Sequence, residues 1–90
     1  MKPLFVQIKC ELSATFRVAE DIIDTIAETS EVYSTSGAFD LLAKFYLEED
    51  QNVGRFVAEK LHHVSGIKDT HTLIAFRLFG ADAEDGLAGG

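Results

Sequence analysis

The spacing of apolar residues switches from every second position to every third or fourth and back, twice over, before Gly80. Leu4, Val6, Ile8 and Cys10 alternate with Phe5, Gln7 and Lys9, which predicts a first strand over 3–10 with one strongly apolar face and one mixed face. Ser13 or Thr15 then stands where a helix cap would. Behind it Phe16, Ala19, Ile22, Ile23, Ile26 and Ala27 recur at helical spacing, and Arg17, Glu20, Asp21, Asp24 and Glu28 fall outward.

Glu31 to Ser36, rich in β-branched and aromatic residues, runs straight into Gly37. The pattern predicts a second strand over 31–36, a turn over Gly37 and Ala38, and a third strand over 39–47. Leu41, Ala43, Phe45 and Leu47 share one side of that strand, and Leu42, Lys44 and Tyr46 the other. Asp50 or Asn52 can cap a second helix with Val53, Phe56, Val57 and Leu61 inward; Gly54 within it suggests close packing on the sheet. Gly66 ends the helical stretch, and a last strand is expected over 67–79.

The order strand, helix, strand, strand, helix, strand is the ferredoxin-like plan: α+β, a four-stranded antiparallel sheet with two helices on one face. Some of Phe5, Leu42, Tyr46, Leu73, Ala75 and Phe79 would then lie on the uncovered face. A patch of that kind marks an interface, so a dimer through the open face is expected. The domain is expected to span 1–80, with 81–90 a flexible, acidic, glycine-rich tail.

Ninety residues suffice for one small core, for which oligomerisation is a common support. Fifteen acidic side chains face eight basic ones, a net charge of −7, so the summed field repels phosphate backbones and anionic lipid. Direct DNA binding and membrane association are therefore not expected. A single cysteine, Cys10, and the lack of any leader pattern suit a reducing cytoplasm.

Few residues carry recognisable chemistry. Gly37 and Asp40 stand three apart where the third strand opens. Amides in a tight turn attract a carboxylate, and an aspartate accepts from an ammonium, so the pair suits an amino-acid-like ligand; an ordinary hairpin turn with a solvated aspartate has the same spacing. His62, His63 and His71 lack the spacing of a zinc site, and neither a metal nor a cofactor is expected. Cys10 reads as a buried thiol and Glu48, Glu49 and Asp50 as a solvated helix start.

Taken together, the segments resemble the effector-binding module of the Lrp/AsnC feast/famine transcription regulators. Residues 32–44 are similar to that family's Gly-x-x-Asp-aromatic-Leu-Leu-x-basic signature, and residues 65–72 to its Pro-Gly-Val-x-x-Thr-x-Thr; here Leu41 replaces the aromatic residue and Ser65 the proline. The resemblance implies a homodimer joined through the sheet (a dimeric α/β barrel) and a ring of four dimers, an octamer. It also implies a small amino acid or related metabolite bound between subunits, with a ligand set of Ser36, Gly37, Ala38, Phe39, Asp40, Thr70, His71 and Thr72. The family's helix-turn-helix domain finds no room ahead of the first strand, so either a stand-alone module or an excised one is expected, the stand-alone form being favoured, and it is expected to modulate a full-length Lrp/AsnC regulator. The rival reading is a small dimeric α/β-barrel enzyme of the cofactor-free monooxygenase type, which would need a closed apolar cavity next to His71.

Overall fold

The structure, a computed structural model, describes residues 1–80. The elements are β1 (Lys2–Cys10), α1 (Thr15–Thr25), β2 (Thr29–Ser34), β3 (Leu41–Leu47), α2 (Val53–Phe56), a π-helical turn Val57–Leu61, and β4 (Ile67–Leu73). They build the expected ferredoxin-like architecture: one antiparallel sheet in the order β2-β3-β1-β4, with the helical segments on one face. No helix among the described residues is long and apolar enough to cross a membrane. The expected tail over 81–90 lies outside the described residues.

The two-residue period of β1 and β3 becomes the floor of the core. Leu4, Val6 and Ile8 of β1 and Leu41, Ala43, Phe45 and Leu47 of β3 are all buried. Phe45 meets Phe56 of α2 edge to face, ring centroids 5.1 Å apart, a preferred aromatic geometry.

Helix α1 buries part of the expected face, Ile22 and Ile26 with Ala19 packed beside them, and turns Phe16 and Ile23 outward. Phe16 is 90% exposed and Ile23 52%, whereas Ala14, Val18, Ile22 and Ile26 are buried. Both edges of the stripe have helical spacing, and tertiary ties choose between them. Arg17 Nη1 donates to the Ser65 carbonyl at 3.1 Å and to Asp21 Oδ2 at 3.2 Å, turning its side of the helix toward the start of β4. Neither Ser13 nor Thr15 caps the helix; the N-cap position is Ala14, with no side-chain cap bond.

The second helical segment is capped by Asn52, whose side chain accepts from Arg55 N at 2.9 Å. After one α turn the His62 N–H reaches back five residues to the Val57 carbonyl. The wider π turn rotates less per residue, which swings Leu61 between Phe56 and Val57, and all three are buried. Gly54 is not pressed on the sheet: an added Cβ would meet only Asn52 Oδ1, at 3.5 Å. At Gly66, with φ +97°, a Cβ would fall 2.9 Å from Val18 and 3.2 Å from Ala14, so α1 passes directly over that turn.

Strand β2 starts and ends two residues earlier than expected, β3 begins at Leu41 rather than at position 39, and β4 stops at Leu73 rather than Phe79. The early stop of β4 follows from β1. The Ile8 carbonyl accepts from Asp40 N on the β3 side, and Glu11 N donates to the Gly66 carbonyl on the β4 side. Odd-numbered residues of β1 therefore bond toward β4, and Pro3 has no N–H to offer there.

The sheet's other face carries Phe5, Gln7, Leu42 and Lys44, all half-buried, with Tyr33, Tyr46, His71 and Leu73 exposed. It is mixed rather than apolar. Lys44 Nζ stands 4.9 Å from the Tyr46 ring centroid and 5.7 Å from that of Phe5. Beyond β4, Ile74, Phe76, Leu78 and Phe79 are exposed, without regular secondary structure.

Candidate functional site

Asp40 is the last residue before β3, where the sequence places it, and its first task is structural. β3 begins opposite Ile8, so the next N–H of β1 on that side, at Cys10, has no ladder partner. Asp40 Oδ2 accepts it at 2.8 Å while Asp40 N donates to the Ile8 carbonyl at 2.9 Å, which extends the ladder by a side chain. The turn that leads in is held by Thr35, whose N–H donates to the Asp40 carbonyl and whose hydroxyl donates to the Phe39 carbonyl, both at 3.0 Å. Gly37 takes φ +103°, a conformation that side chains disfavour, and nothing crowds it. Ser36, Gly37 and Ala38 form an exposed tip.

The strand pairing separates the remaining candidates. Tyr33, Leu42, Gln7 and His71 form one row across the sheet, on the open face. Phe39 joins them, its ring centroid 6.2 Å from that of His71. Thr70 and Thr72 pair with Ile8 and Val6 and so lie on the helix-covered face. There Thr70 Oγ1 and His62 Nε2 are 3.2 Å apart, a hydrogen bond, and the Asp69 carboxylate accepts from Thr70 N at 2.9 Å. Within one chain, therefore, His71 and its two flanking threonines cannot line one cavity.

A cavity of about 600 Å³, open to solvent, does adjoin Asp40. Its other walls, which the motifs did not indicate, are Lys9, Cys10, Glu11, Leu12, Ser13, Thr15 and Lys68. Ser13 takes φ +67°, uncommon for a residue with a side chain. No motif in the sequence marks residues 11–13, which lie between β1 and α1. Burial pushes the Cys10 thiol up, and the neighbouring Asp40 charge pushes it further, against a hydrogen bond with Thr15. A larger cavity, about 830 Å³, lies at the other end of β1 against Phe5, Tyr46, Val53, Ile74 and Phe76 and contains none of the candidate residues. Among the described residues no cluster of His, Cys, Asp and Glu has the arrangement of a metal site.

The domain is thus a four-stranded ferredoxin-like sheet with its helical segments on one face and an open polar recess at the β1–α1 turn. The family model described as the Lrp/AsnC ligand binding domain matches residues 4–82, and the chain belongs to that family of regulatory domains. Among solved structures it is similar to FFRP-DM1, with TM-score 0.76 and 25% identity over 84% of this chain and 100% of that one. TTHA0845 from Thermus thermophilus gives TM-score 0.71 and 28% identity over 89% and 99%. The transcriptional regulator NMB0573 from Neisseria meningitidis, solved as an L-Met complex, shares the fold with TM-score 0.71 and 13% identity; the match covers 84% of this chain and 50% of that one. A comparison with curated protein sequences gave no match.

Proposed function

We propose that this domain is a non-enzymatic cytoplasmic sensor that binds a small amino acid or related metabolite and changes its assembly in response. The observation that carries the reading is Asp40: a carboxylate anchored through one oxygen by the Cys10 N–H, on the wall of an open polar cavity. A fixed anion of this kind suits an ammonium group. Family membership and an amino-acid complex of a protein with this fold support it.

In this reading the domain dimerises through its open sheet face, and dimers associate into a ring of four. The module would tune a full-length Lrp/AsnC regulator by mixed assembly without touching DNA. Regulation requires the ligand to prefer one assembly state, since equal affinity shifts nothing. The enzyme alternative gains no support from His71, which is exposed on the open face rather than set in a closed apolar cavity.

Calorimetry and size-exclusion chromatography with each of the twenty amino acids test the proposal. Binding of at least one, with a change in oligomer size, is expected. Asp40→Asn keeps a carbonyl acceptor for the Cys10 N–H but removes the charge, so it should abolish binding while the protein stays folded. Binding and assembly that are indifferent to every amino acid would sink the reading.

A further inference from the structure

The pairing of β1 with β4 breaks register once, between Lys9 and Cys10. Lys9 opposes Asp69 and Cys10 opposes Ile67, so Lys68 is an extra residue with no ladder partner. A bulge of this kind re-aims the side chain it carries. Here Lys68 lines the cavity that also holds Asp40, while its neighbours Ile67 and Asp69 keep their places in the ladder. The recess thus has a carboxylate on its β3 side and an ammonium on its β4 side, with the Ser13 and Thr15 hydroxyls at the β1–α1 turn.

We infer that this recess binds a zwitterion, with Asp40 at the ligand's ammonium and bulged Lys68 at its carboxylate, and that the ligand is an amino acid with a small polar side chain. The inference rests on the amino-acid-binding reading above and specifies its site and ligand class. The carboxylate site moves from the turn at Gly37 to Lys68, because Gly37 lies in the exposed tip and is not among the residues lining the cavity. The class of side chain follows from the walls. Apart from Cys10 and Leu12 the lining is charged or hydroxylic, and Leu12 is 98% exposed. A leucine or methionine side chain would meet little apolar surface there, whereas a hydroxyl or amide finds Ser13, Thr15, Lys9 and Glu11 as partners.

Calorimetry on the full chain with serine, asparagine, leucine, methionine and serinamide tests this. Serine or asparagine should bind more tightly than leucine or methionine. Serinamide, which keeps the ammonium but lacks the carboxylate, should bind serine's site about tenfold more weakly. Lys68→Gln should weaken serine by a similar factor and leave serinamide unchanged, because the lost contact is already missing from that pair. Lys68 is exposed, so the variant should fold, and an unchanged melting temperature verifies it. Tighter binding of leucine or methionine, or a Lys68→Gln protein that binds serine as the parent does, overturns the inference and leaves the sensor reading standing. Binding of none of the twenty amino acids overturns both.

Discussion

Glu28 shows how one side chain in this small domain ties distant segments together. It follows α1, and its carboxylate accepts from Lys60 Nζ at 3.0 and 3.1 Å and from Gln51 Nε2 at 3.1 Å. Burial works to raise its pKa, but the Lys60 and Gln51 bonds outweigh that and hold it below the ordinary glutamate range. A group whose pKa is depressed by folding stabilises above its unfolded pKa and loses that contribution as pH falls through the folded value. The melting temperature of the parent should therefore drop on acidification below the usual carboxylate range more steeply than that of Glu28→Gln. Near neutral pH the substitution should cost about 1 kcal/mol; parallel melting curves at every pH would show that the tie contributes nothing. Asp40 belongs at this scale too. Its position three after Gly37 was visible in the sequence, but its bond to the Cys10 N–H was not, because that depends on where β3 starts against β1.

Among the elements, α1 marks where periodicity stops being decisive. Phe16 and Ile23, expected inward beside Ile22 and Ile26, are as regularly spaced as Ala14 and Val18, so either edge of the stripe satisfies the helical pattern. The Arg17 bonds and the close passage over Gly66 settle the rotation in favour of Val18. Val18→Ala should accordingly destabilise by roughly 2 kcal/mol, whereas Phe16→Ser should stay within about 0.5 kcal/mol, both read from chemical denaturation. The reverse order would mean that the exposed edge is the buried one. The end of β4 teaches the same lesson: the alternation continues to Phe79, but Pro3 lacks the N–H that the ladder needs. The bulge at Lys68 leaves no mark in composition at all, since it arises from two strand registers that differ by one residue.

For the whole molecule, the uncovered sheet face is the largest consequence of the topology. Two helical segments cover one side of four strands, and the other side is left with Phe5, Tyr33, Leu42, Tyr46 and Leu73 around Lys44. If that face joins two copies, sedimentation velocity should show a dimer or larger particle, and Leu73→Asp, placing a charge on the face, should shift it toward monomer without loss of secondary structure. An unchanged sedimentation profile would move the interface elsewhere. The order of elements, the inward residues of β1 and β3, and Asp40 at the mouth of a strand were all determined by the sequence itself, because a two-residue period and a turn glycine are local properties of the chain. Which edge of the α1 stripe is buried, where β4 stops, and the approach of Lys68 to the cavity holding Asp40 were decided only by the tertiary structure. Each depends on register and helix rotation between segments far apart in the chain, and those are set by packing rather than by local pattern.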